Sequence, residues 1–229
     1  MPPSATASER HTNKLDLYSE YRTEYVRPRK PTLVTVAPAK YLGIEGRGAP
    51  GGDAFNEALA ALYNVSFTVK MARKRIGTEY GISKLEALWW TDHPAQEYAS
   101  VPKDEWRWEL LIRVPEYIAE HEVNAAITSL LEKKKPAAVG RVMLVVLDEG
   151  ACVQLLHRGP YENEPLSLQR MLDYAKSQDL RFRGKHHEIY LTDARRVAPD
   201  RLRTILRMPV TPAGVGSRHP NSPNGKHHP

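Results

Sequence analysis

Three segments of this chain recur in the same order, and that recurrence limits the folds open to it. Leu88-Trp89-Trp90-Thr91-Asp92 matches Ile189-Tyr190-Leu191-Thr192-Asp193, and Leu111-Ile112-Arg113-Val114-Pro115 matches Ile205-Leu206-Arg207-Met208-Pro209. Ahead of them, Tyr41 to Tyr63 reads as strand, Gly-containing turn and helix, and Cys152 to Tyr174 repeats that order. Aligned segments in one order are the mark of an internal repeat. Each unit reads β-α-β-β, over about 32–115 and about 141–210, and neither buries enough apolar surface to be comfortable alone. The pattern predicts an α+β fold: two units fused about a pseudo-twofold axis, with helices on one side of a continuous antiparallel sheet and a central ligand cleft.

The elements follow from periodicity. Thr32 to Val36 and Lys40 to Gly46 form the first strand region, and Asp53 caps a helix that ends on Arg73-Lys74-Arg75. Tyr63 and Phe67, four residues apart, share one face of that helix. Strands follow at Leu85–Asp92 and Trp106–Val114, then an amphipathic helix over Glu120–Lys134. Val142–Leu147 and Ala151–His157 are strands joined by the turn Asp148-Glu149-Gly150, and Glu162–Gln178 is helical. Glu188–Leu191 and Thr204–Val210 close a domain spanning 15–210. Residues 1–14 and 211–229 lack periodicity and read as disordered tails. The tail histidines His219, His227 and His228 are too isolated to make a specific metal site. Lys14 to Arg29, with Tyr18, Tyr21 and Tyr25, is expected to pack on the domain surface.

The strand around Glu188 carries the chemistry. Period-2 alternation puts Glu188 and Tyr190 on one face and Ile189 and Leu191 on the other. A carboxylate in a covered strand must be paired, must have a raised pKa, or must await a ligand. The repeat sets Ala87 against Glu188 and Trp89 against Tyr190, so only one half contributes a carboxylate to the cleft. Trp89 should share the cleft face with Tyr190, which turns Trp90 to the opposite side, while Trp106 and Trp108 share one face of their strand.

Composition excludes several classes. Hydrophobic content of 41% and charged content of 26% suit a globular protein. No apolar run approaches the roughly 20 residues that span a bilayer, and the first residues lack the pattern of a signal peptide. A single cysteine, Cys152, allows no internal disulfide, so a cytoplasmic setting is expected. Cys152 itself lies in a predicted strand and reads as a small packing residue. Net charge is +6, but carboxylates are interleaved with the basic residues, and no nucleic-acid-binding motif can be made out. No Gly-x-Ser-x-Gly elbow, His-Glu-x-x-His site or phosphate-binding Gly-rich loop is present. His157 flanks a turn, where it is placed to hydrogen-bond backbone, and His186 and His187 read as polar residues at a strand end.

Five spaced motifs resemble a known family. Tyr41-Leu42-Gly43-Ile44-Glu45-Gly46, Ala61-Leu62-Tyr63, Leu85 to Trp90, Gln154 to Tyr161 and Gly184 to Leu191 are similar to the stand-alone GyrI-like proteins, from about Lys14 to Val210. The resemblance implies the duplicated β-α-β-β architecture and a small-molecule site in which an acidic residue meets planar ligands within an aromatic pocket. Glu188 falls in the corresponding strand motif. The subfamily with paired tryptophans resembles the cyclopropanoid cyclopropyl hydrolases, which open the cyclopropane ring of DNA-alkylating natural products.

That resemblance implies a planar aromatic small molecule as ligand and roles for particular residues. Glu188, with its pKa raised by an apolar cage, would act as base toward water. Tyr190, Tyr161 or Tyr63 would donate to the ligand carbonyl, and Trp89, Trp108, Trp90, Trp106 and Phe67 complete the candidates for stacking. The rank order puts Trp89, Tyr190 and Glu188 first, then Trp108, Tyr63 and Tyr161, with Trp90 and Trp106 behind. The chemistry calls for no metal or organic cofactor. The competing reading is a module that sequesters planar cationic or aromatic compounds without turning them over. A DNA-binding regulator is less expected, because only about 30 residues precede the first strand.

Overall fold

The computed structural model describes residues 14–92 and 101–214. Of the tails expected at 1–14 and 211–229, residues 1–13 and 215–229, with the tail histidines, lie outside the described residues, while Thr211 and Pro212 belong to the last strand, paired with Arg181 and Leu180. The strands are β1 (Thr32–Val36), β2 (Ala39–Arg47), β3 (Leu85–Trp90), β4 (Arg107–Arg113), β5 (Met143–Leu147), β6 (Gly150–Arg158), β7 (Leu180–Phe182), β8 (His186–Tyr190) and β9 (Arg203–Pro212). The helices are α1 (Leu17–Glu20), α2 (Asp53–Arg75), α3 (Glu120–Glu132) and α4 (Glu164–Ser177). Most bounds fall within two residues of those read from periodicity. Gly52, rather than Asp53, is the N-cap of α2, and the short strand β7 was not expected. Among the described residues no helix is long and apolar enough to cross a membrane.

All strand pairs are antiparallel, in the order β1-β6-β9-β8-β3-β4-β2-β5, with β7 added beside β9. Exchanging β1 with β5, β2 with β6, β3 with β8 and β4 with β9 reads this order backwards. At the centre β3 pairs with β8, and Ala87 lies directly across from Glu188. The third sequence match is out of step: Ala87 faces Leu110 on β4, whereas Glu188 faces Leu206 on β9. Leu110 therefore stands where Leu206 stands, two residues from the Ile112 that the sequence set against it. Because the slip is even, it leaves every side chain on its expected face.

Helices α2 and α4 cover opposite halves of one face. The α2 residues Leu62, Val65 and Val69 pack with Leu42, Ile44, Leu110 and Ile112, and α3 adds Val123 and Leu130. The α4 residues Met171 and Ala175 pack with Val153, Leu155 and Leu206. Burial of each large apolar side chain contributes about 1.5–3 kcal/mol, so each helix is anchored to its own half. The middle strands β3 and β8 lie between the two anchored helices, and the space above them is the cleft.

The other face is closed by the lead segment. Tyr25, 4% exposed, packs on Ile189 and Ile205, and Gln154 Nε2 donates to the carbonyls of Glu24 and Val26. Lys14 to Arg29 is thus no surface appendage. It forms the second cover that a sheet with two buried faces needs.

Candidate functional site

Alternation along β8 directs His186, Glu188 and Tyr190 into the cleft, a cavity of about 1940 Å³ that they line together with Trp89, Phe55, Leu59 and Tyr63. The short turn Tyr161–Asn163 and the first residue of α4 bring Tyr161 and Glu164 against the same floor. Tyr161 meets Tyr190 edge-on at 6.2 Å between ring centres. Phe55 stacks on Trp89 at 5.9 Å, and Trp106 meets Trp89 edge-on at 5.9 Å.

Trp89 Nε1 donates to the Tyr190 hydroxyl at 3.2 Å, and that hydroxyl in turn donates to Glu188. Burial and the Glu188 charge hold the Tyr190 phenol well above its usual pKa. His186 Nε2 lies 3.3 Å from Glu188 Oε1, and Glu164 is close enough to Glu188 for the two carboxyl groups to share a proton. Burial works to raise both acids. Around Glu188 the neighbouring His186, Tyr190 and Glu164 outweigh burial and hold it below the ordinary carboxylate range. Burial and the Glu188 charge push Glu164 up to about 10, so the shared proton resides on Glu164. Two like acids in contact divide in this way because both cannot ionise at low cost. The raised pKa expected at Glu188 is found on Glu164 instead.

Other expectations shift as well. Two buried carboxyl groups, Glu164 and Glu188, both from the second half, meet in the cleft, where one was expected. Trp108 is 1% exposed and does not line the cavity; Phe55 covers it edge-on at 5.3 Å, and its indole fills the space a side chain would occupy at Gly46. Trp106, ranked behind it, does line the cavity, with Nε1 donating to the Val101 carbonyl at 3.2 Å. Phe67 is 50% exposed and stacks on Tyr63 outside the cavity lining. Trp90 borders the cavity, yet it packs with the cluster on the opposite face, under the Lys185 ammonium 3.6 Å from its ring centre. Cys152 is buried, and its thiol is pushed up to about 12 by burial. His157 bridges the Pro160 carbonyl and the Ser167 hydroxyl, which fixes the turn into α4.

Sequence reasoning missed Glu164 and gave His186 no role in the cleft. The signal for His186 was its parity with Glu188. An acid in the first turn of a helix is common because it complements the helix dipole, and that commonness concealed Glu164.

A sheet with two covered faces and a large aromatic cleft holding buried acids defines a small-molecule-binding module. The sequence matches the GyrI-like small molecule binding domain over residues 29–211, and the chain belongs to that family. A crystal structure of a hydrolase from Listeria innocua is 31% identical, with a TM-score of 0.77, covering 86% of this chain and 100% of that one. An uncharacterized conserved protein from Listeria innocua is 32% identical, with a TM-score of 0.78 and the same coverage. The EcmrR C-terminal domain, at 11% identity and a TM-score of 0.53 over 80% of this chain and 98% of its own, shares the fold. No curated protein matches the chain.

Proposed function

We propose that this protein is a hydrolase that adds water to the cyclopropane ring of cyclopropanoid DNA-alkylating compounds and so protects against them. The observation that carries this reading is Glu188, an ionised carboxylate at the floor of a cavity walled by Trp89, Trp106, Phe55, Tyr63 and Tyr161. The likeness to a hydrolase over 100% of that chain's length supports it.

A cyclopropane conjugated to a dienone is strained and becomes electrophilic when its carbonyl is polarised. In the proposed reaction the flat ligand stacks among Trp89, Phe55 and Trp106, and Glu188 takes a proton from water as the water oxygen bonds to the ring methylene carbon. The ring C–C bond breaks, and its electron pair passes through the dienone to the carbonyl oxygen, which accepts a proton from a tyrosine. Tyr190 is not that donor, since its hydrogen is engaged by Glu188. Tyr161, whose phenol burial pushes up to about 12, keeps its proton at neutral pH and stands on the same floor. The proton held by Glu188 returns through water to the tyrosinate, and the net change is the addition of one water.

One observation favours a second reading. No lysine or arginine forms an ion pair with Glu188 among the described residues, and a carboxylate beneath aromatic faces also suits a planar cation held without turnover. Incubation with a cyclopropanoid alkylator followed by mass spectrometry separates the two. A gain of one water in the ligand is expected; tight binding of unchanged ligand would establish sequestration in its place.

A further inference from the structure

We propose that Glu164, His186 and Glu188 form a binding site for one divalent metal ion of the zinc type, a site that stands independently of the hydrolase reading. Their ligand atoms lie within 4.8 Å of one another, and the three residues are only 7–8% exposed. The 3.3 Å between His186 Nε2 and Glu188 Oε1 is the edge length of a tetrahedral centre with bonds of about 2.0–2.1 Å.

What points to an ion is that two of the converging atoms make no hydrogen bond. Glu164 Oε1 and His186 Nε2 are buried and make no hydrogen bond. His186 Nδ1 lies 3.4 Å from Met208 Sδ, and a thioether sulfur can only accept. With Nδ1 turned to the sulfur, Nε2 is the ring atom that faces the carboxylates. Two buried carboxyl groups and an imidazole nitrogen that converge away from solvent can hold a cation between them.

The surroundings have the form of an outer ligand shell. A metal-bound histidine typically donates its other ring N–H, for which Met208 Sδ is placed here, and bound carboxylates are themselves hydrogen-bonded. Tyr190 donates to Glu188, and Trp89 donates to Tyr190 at 3.2 Å. One imidazole with two carboxylates suits a transition ion better than calcium or magnesium, which prefer oxygen ligands alone. The three protein ligands leave a fourth position open toward the cavity for water or a ligand atom.

The test uses the full chain freed of metal by chelation, titrated with Co²⁺ by absorption spectroscopy and with Zn²⁺ by elemental analysis after gel filtration. Wild type should hold one ion per chain more than Glu164→Gln and His186→Gln, all three proteins carrying the same tail histidines. Tyr190→Phe should weaken binding by about 10–100-fold, the usual effect of losing an outer-shell partner. Equal ion content in wild type and the two glutamine variants would overturn the site. Should a variant fail to fold, the wild type alone decides: Zn²⁺ should raise its melting temperature through mass action, and no shift at saturating ion would reject the proposal. Binding is read without substrate, whereas ring opening by the chelated protein tests the hydrolase reading separately.

Discussion

The two faces of the central strand pair bury ionisable groups in opposite ways. On the lower face Glu86 and His187 stand beside Glu24, Glu149, Arg113 and Arg207, three acids against three bases. Arg113 pairs with Glu24 at 2.7 Å, Arg207 with Glu149 at 2.8 Å, and His187 bridges Glu86 and Glu149 at 3.0 Å each. Tyr25 from the lead segment donates to Glu86 at 2.7 Å. One residue along each strand, the upper face holds Glu188 with Glu164 and His186 and no arginine or lysine partner among the described residues. The two sets meet on β8, where His187 faces one side of the sheet and His186 and Glu188 the other. The lower set is electrically closed and holds the lead segment on the sheet; the upper set is short of positive charge and opens on a cavity. Burial alone does not mark a functional group, whereas burial without compensation does.

The sharpest way to break this contrast is one substitution on each face. Glu188→Gln keeps shape and stacking but removes the proton acceptor, so turnover of a cyclopropanoid substrate should fall by roughly 10²–10⁴. Its melting temperature should change little, because no buried cation is stranded. Product formation per folded molecule checks this, and an unchanged rate would remove Glu188 from the mechanism. On the lower face, Arg207→Met leaves Glu149 buried against His187 alone and should cost about 3–5 kcal/mol. For a chain of this size that lowers the melting temperature by about 6–20 °C, with the rate per folded molecule retained. If Arg207→Met abolished turnover in protein that remains folded, the two faces would not be separable.

How far the sequence reached divides along the same line. Period-2 alternation and the repeat were enough to put Trp89, Glu188 and Tyr190 together over the centre of the sheet, because side-chain direction in a strand is a local property. What covers those side chains is not local. Trp106 and Trp108 share a strand face, and only the packing of Phe55 from α2 decides which of them is sealed off. Glu164 joins Glu188 across a helix start, 24 positions away, and the lower network joins partners as far apart as Glu24 and Arg207. Those pairings depend on the order of strands in space, so His187 looked like an ordinary polar residue at a strand end.

The smallest expected effect is the pH dependence of stability, and it distinguishes the faces without any substitution. Burial alone would raise the Glu149 pKa, but His187 and Arg207 bring it from 4.5 down to about 2. A depressed folded value contributes stability that is present above about 4.5 and is lost as pH falls toward 2. Burial alone would lower the His187 pKa, but Glu149 and Glu86 raise it from 6.5 to about 9. A raised folded value contributes stability that is complete below about 6.5 and is lost as pH rises through 9. These are two ends of one ion pair, so each limb should amount to about 3 kcal/mol at most. Melting temperature measured across pH should therefore be highest between about 4.5 and 6.5 and fall on both sides. In Arg207→Met the acid limb should shrink, because less charge then stabilises the Glu149 carboxylate. A curve that is flat from pH 3 to 9 would mean that the lower network contributes no net stability, and the two faces would then differ only in their access to the cavity.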